Sequence, residues 1–183
     1  WTPIGNSSVN AFNGKFNGQG HTISGIYSKL NETASANTNG NGLFCALGSS
    51  AEVRNFKLTN SYFTYTRTRV GSIAGTGRGT IRNVYSDAIV VGSKSYIGGL
   101  VGRAETLNLQ RCWFDGFVES KCGTTYFGKG GLIGVVDGYV AKIINCLNTG
   151  TIDLSGDTSY NSAGDKRQAP KAGGFVGYIS HDD

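Results

Sequence analysis

Apolar positions along this chain come in short bursts, rich in β-branched and aromatic residues and separated by Gly, Asn or Ser. No segment keeps a helical period over eleven or more residues, so the pattern predicts strands of roughly four to six residues joined by tight corners. Two phrases recur. The first is an aliphatic pair bracketed by glycine: "GSIAG" at 71–75, "GGLVG" at 98–102, "GGLIG" at 130–134, "GGFVG" at 173–177, with a degenerate copy, "GLFC", at 42–45. The second lies between copies of the first: "VRNF" at 53–56, "IRNV" at 81–84, "LQRC" at 109–112 and "IINC" at 143–146. The second phrase steps by 28, 28 and 34 residues, and the first by 30, 27, 32 and 43. Two interleaved phrases sharing a step of about 28 residues predict an array in which each repeat is one coil. The fold class is therefore all-β, a parallel β-solenoid of about five coils whose strands stack ~4.8 Å apart.

Superimposing the repeats predicts which residues share a column. Val53, Ile81, Leu109 and Ile143 form one inward ladder, and Phe56, Val84, Cys112 and Cys146 a second. Asn55, Asn83 and Asn145 stack at a corner, with Arg111 as the exception, and are expected to carry amide hydrogen bonds and an unusual backbone angle rather than a ligand. The glycines of the first phrase are read as corner residues that let coils approach; with no helix behind them they are not phosphate loops. Residues 1–29 read as a leading coil, with turn signals at Asn13-Gly14, Asn17-Gly18 and Gln19-Gly20 before a strand from His21 to Tyr27. Residues 30–183 complete a single module, read as a piece of a longer protein.

Composition narrows the function classes. The 183 residues include 29 glycines, two prolines and no methionine. Aromatic content argues against disorder, and no run approaches the ~18 apolar residues of a membrane span. The net charge of +5 is spread in single residues rather than a stripe, so neither nucleic acid nor membrane insertion is expected. Four cysteines show no CxxC pair and no histidine at zinc spacing, so no metal or other cofactor is expected; Cys112 and Cys146 are read as reduced core thiols.

The phrases "WTPIG", "FNGKFNGQGHTISGIY", "VRNFKL", "GGLVG", "CWFDGFV" and "INCLNTGTI", in this order, resemble the GLUG-motif repeat family of bacterial cell-surface and secreted proteins over nearly the whole chain. The resemblance implies a right-handed β-solenoid within a large extracellular protein, often beside other modules in adhesin-like proteins. It supplies no catalytic residues.

Candidate chemistry is sparse. Asp87 and Asp115 sit 28 residues apart, so stacked coils bring them to about the spacing of a retaining glycosidase pair. Thr59 and Thr149 hold the same place in the flanking coils, so no third acid completes a site. A polysaccharide-active enzyme is thus the alternative, and a non-enzymatic module is expected. On the same outward face Lys57, Tyr85, Trp113 and Leu147 stack in order. Tyr85 and Trp113 beside Asp87 and Asp115 offer an aromatic step with hydrogen-bond acceptors, a chemistry that holds sugars. Three insertions, at 30–41, 119–129 and 153–171, project before the glycine phrases; the last carries Tyr160, Lys166 and Arg167 as a candidate contact. The expected partners are a glycan or host surface protein and other domains of the same chain. A pure spacer is the remaining reading.

Overall fold

A computed structural model of the chain describes residues 1–5, 9–31, 40–121, 128–156 and 171–180. Every regular element among them is a strand, and every strand pairing is parallel. The strands form three sheets that act as walls of a β-solenoid of about four turns.

The long wall runs through Lys15–Asn17, Glu52–Thr59, Ala74–Ser86, Val101–Gln110, Ile133–Ile144 and Val176–Ser180. Thr22–Ser24, Phe44–Ala46, Trp113–Phe114 and Leu147–Asn148 extend it at its margins. The second wall stacks Tyr27–Leu30, Tyr62–Tyr65, Ile89–Gly92, Phe117–Ser120 and Thr151–Asp153. The third is built from two-residue strands, Ile97–Gly98, Lys129–Gly130 and Ala172–Gly173.

The register places Phe16, Val53, Ile81, Leu109 and Ile143 in one column. Phe56 pairs with Val84, and both are buried together with Cys112. On the second wall Phe63, Val90, Val118 and Ile152 share a column. These columns point at one another across the interior and merge into a single apolar core. Fully burying each such side chain contributes about 1.5–3 kcal/mol, which no isolated coil could collect because its columns would face water above and below.

Burial falls off at the ends for that reason. Val53, Ile81 and Leu109 are fully buried, whereas Phe16 and Ile143 are only partly so. In the last coil Phe175 is 46 % exposed and Ile179 61 %. The repeat phrases suggest about five coils, and the described strands wind about four turns. Among the described residues the third wall continues past Ile97–Gly98 through the isolated bridges that tie Ile97 to Val70 and Val70 to Asn41.

The strand expected from His21 to Tyr27 is two strands, Thr22–Ser24 on the long wall and Tyr27–Leu30 on the second. Gly25, at a φ of +76°, turns the chain between them, a conformation glycine adopts without steric cost. Outside the last phrase, where Phe175 is exposed, the aliphatic pairs of the glycine phrases are interior, as expected: Leu100, Val101, Leu132 and Ile133 are all buried. The first glycine of each phrase folds back on its own backbone. A Cβ on Gly98, Gly130 or Gly173 would lie closer than the 3.0 Å contact limit to the carbonyl oxygen of Val101, Ile133 or Val176 respectively.

Candidate functional site

The corner residues of the second phrase set the geometry. Asn55, Asn83, Arg111 and Asn145 all adopt left-handed backbone angles, with φ of 58°, 53°, 49° and 52°. Asn tolerates this region better than other residues with a Cβ, which explains its recurrence. The side chains are linked in one direction. Asn55 Nδ2 donates to Asn17 Oδ1 at 3.0 Å, Asn83 Nδ2 donates to Asn55 Oδ1 at 2.9 Å, and Arg111 Nε donates to Asn83 Oδ1 at 2.7 Å. Arg111 thus keeps both the bond and the backbone angle of the residue type it replaces.

Two residues further along each strand lies the outward row. Thr22, Lys57, Tyr85, Trp113 and Leu147 are in register. The Tyr85 and Trp113 rings meet edge to face, 5.0 Å between centroids and 75° between planes. Trp113 remains 41 % exposed. Its indole Nε1 donates to Thr149 Oγ1 at 2.7 Å, and Thr149 Oγ1 donates to Asp115 Oδ1 at 2.5 Å. Burial first, then the negative charges of Asp87 and Asp115 and a hydrogen bond to Asp115, hold the Tyr85 phenol above its ordinary pKa. The phenol is therefore a neutral donor at any physiological pH.

Between the corner ladder and the aromatic row runs an open groove of about 680 Å3. Asn17, Gln19, Asn55, Asn83 and Arg111 line one side, and Lys57, Tyr85 and Trp113 the other, with Phe56 and Val84 also contributing. It crosses four successive rungs, or about 14 Å at the strand spacing.

The structure brings Tyr85 and Trp113 together as the sequence predicts. Asp87 and Asp115 lie on neighbouring rungs, as their backbone bonds to Leu58 and Ser86 show. Neither lines the groove. Asp115 is engaged by Thr149, and Asp87 Oδ1 accepts the backbone N–H of Asn60 at 2.8 Å. Asp87 instead borders a smaller depression with Asn60, Ser61, Tyr62 and Ile89. Tyr160, Lys166 and Arg167 lie outside the described residues. The part of the site that sequence reasoning missed is the polar bank. By sequence the Asn column and Arg111 read as corner residues alone; the left-handed angle there interrupts the alternation and turns them to the outside, beside the aromatic row two positions away.

Among the described residues no group of three or more His, Cys, Asp or Glu side chains could hold a metal ion. Cys45, Cys112 and Cys146 are free thiols. Cys112 and Cys146 are neighbours, with the Cys112 N–H 3.4 Å from Cys146 Sγ. The contact with Cys112, its thiol first and its backbone N–H after, holds the Cys146 pKa below the ordinary thiol value. The same contact and burial push Cys112 up. Near pH 7 Cys146, half-buried, is expected to alkylate faster than Cys45 or Cys112. In Cys112→Ala the pH midpoint of Cys146 alkylation moves up toward the ordinary thiol range; an unmoved midpoint would show that Cys112 does not set it.

No family model matches the chain, and no solved structure is a significant match. Two proteins share similarity over part of it. One is a halomucin from Haloquadratum walsbyi, 38 % identical over 100 residues, which are 55 % of this chain and 1 % of that protein. The other is a putative Gly-rich membrane protein from Evansella cellulosilytica, 39 % identical over 88 residues, 46 % of this chain and 9 % of the relative. The chain therefore spans a small fraction of either relative's length. No helix among the described residues is long and apolar enough to cross a membrane.

Proposed function

We propose that the chain is a non-enzymatic module of a cell-surface or secreted protein that holds a glycan in the groove along Tyr85 and Trp113. In this reading the solenoid has about five right-handed coils of roughly 28 residues and belongs with the GLUG-type repeats its phrases resemble. The observation that carries the proposal is the groove itself. An exposed indole, propped edge-on by Tyr85, faces a bank of amides across an open channel. Aromatic faces take the apolar side of a sugar ring, and amides pair with its hydroxyls. The halomucin and membrane-protein names of the partial relatives are consistent with a surface or extracellular location.

Asp87 and Asp115 are assigned supporting roles. One fixes the Asn60 corner, and the other anchors the Thr149 hydroxyl that orients Trp113. The test is a glycan and matrix-protein array probed with the 183-residue chain and with Trp113→Ala. Glycan binding that Trp113→Ala reduces roughly fivefold or more supports the reading, because one stacked ring is worth about 1–3 kcal/mol. Binding that Trp113→Ala leaves intact moves the site elsewhere. Indifference to every ligand leaves a spacer, and release of a shortened saccharide makes the module an enzyme.

A further inference from the structure

We infer that the groove takes an anionic saccharide, a polymer bearing carboxylate or sulfate groups, rather than a neutral one. The inference rests on the glycan-binding reading and adds the charge class of the ligand.

The charge of the lining points one way. Lys57 and Arg111 both line the groove, on opposite sides and two rungs apart, and no Asp or Glu lines it. Elsewhere on this face arginines are neutralised. Arg82 and Arg54 both reach Glu52, at 2.6 and 3.3 Å, and the hydrogen bond from Arg82 holds the Glu52 carboxyl below its usual range. Arg103 bonds Asp137 and Glu105, and Arg78 bonds Glu105. Among the described residues neither Lys57 nor Arg111 makes an ion pair with a carboxylate. Asp115 and Asp87, whose charges act on Tyr85, lie outside the groove lining and bond Thr149 and the Asn60 N–H instead.

The geometry of Arg111 adds to this. Its Nε is committed to Asn83 Oδ1, which tethers the guanidinium at the end of the amide ladder. The two terminal nitrogens of the guanidinium remain as a fork, the geometry that matches a carboxylate or sulfate. Lys57 supplies a mobile point charge one rung beyond Tyr85. Between them Tyr85 and Trp113 supply the ring platform. A neutral sugar would use the platform and the amides but leave both cations without a partner. An acidic sugar uses all three.

The experiment measures binding of the 183-residue chain to four polymers in 0.15 M salt: polygalacturonate, its neutral methyl ester, dextran sulfate and dextran. The variants are Trp113→Ala and the double variant Lys57→Gln/Arg111→Asn, in which Asn keeps the corner chemistry while removing the charge. At least one acidic polymer is expected to bind roughly tenfold or more tightly than its neutral counterpart, a difference two charge-assisted bonds readily supply. The double variant is expected to bring the acidic polymer down to the neutral level, and Trp113→Ala to weaken both. The carboxylate and sulfate pairs separate the two anions. Equal binding of acidic and neutral polymers overturns the inference and leaves the glycan reading standing. Acidic binding that Trp113→Ala does not change also overturns it, since that is diffuse attraction to a basic surface. Binding of none of the four overturns the inference together with the glycan reading for this groove.

Discussion

Gly130→Ala is expected to abolish stable folding, whereas Gly174→Ala, at the second position of the last glycine phrase, is expected to be silent. The Cβ of an alanine at 130 would meet the Ile133 carbonyl of its own coil and the Gly177 nitrogen of the next, both backbone atoms inside the contact limit. Side chains can change rotamer to relieve a clash, but paired backbone cannot move without breaking the rungs that hold it. The loss is therefore set above the usual range for overpacking, at more than ~4 kcal/mol, a large part of a domain's ~5–15 kcal/mol. At Gly174 an added Cβ meets nothing within 4 Å. Its counterpart in the preceding coil, Gly131, is blocked by Asn148 of its own coil and by the Gly174 carbonyl of the next. Denaturant unfolding followed by circular dichroism separates the two. A Gly130→Ala protein as stable as the parent would refute the account of the glycine phrases.

The amide ladder gives the second large effect. At Asn83 two contributions combine. The φ of 53° costs alanine about 1–2 kcal/mol, and the bonds to Asn55 and from Arg111 add about 0.5–1.5 kcal/mol each. Asn83→Ala is thus expected to lose about 2–5 kcal/mol, or roughly 4–20 °C in Tm for a chain of this size. Asn83→Gly keeps the backbone angle at no steric cost and loses only the hydrogen bonds, so it falls between the parent and the alanine variant. Arg111→Asn works in the opposite direction, replacing a side chain that resists the left-handed angle by one that accepts it, and is expected to gain about 0.5–1 kcal/mol. Thermal unfolding of the three variants checks the order. Asn83→Ala and Asn83→Gly of equal stability would show that the backbone angle carries no cost.

The columns were legible because each repeats one chemical type at one offset. Val53, Ile81 and Leu109 needed only the 28-residue step to be placed together, and so did Tyr85 with Trp113. The third wall was not legible as a wall, because strands of two residues carry no alternation to read. The break at Gly25 was hidden for a related reason: either side of it is strand-forming, and only the backbone angle marks the corner. At the site, sequence placed Asp87 and Asp115 correctly on adjacent rungs. What it could not supply was what each carboxylate touches, since that depends on Asn60 for one and Thr149 for the other. The groove was invisible because it is the space left between two rows that were read separately.

The one arginine in the asparagine column has a meaning beyond its corner. Coils built alike can be threaded alike, so a chain of this kind has competing frames in which a whole coil skips its place and still finds apolar columns to lie on. The odd residues remove that degeneracy. If the coil carrying Leu147 docked on Tyr85, Thr149 would meet Asp87 and the bridge from Trp113 to Asp115 would be lost. The guanidinium of Arg111 would likewise lose Asn83 if its own coil settled elsewhere. Each irregular rung is in effect an address, legible to only one neighbour, and the departures from perfect repetition are what give a repetitive molecule a single way to wind.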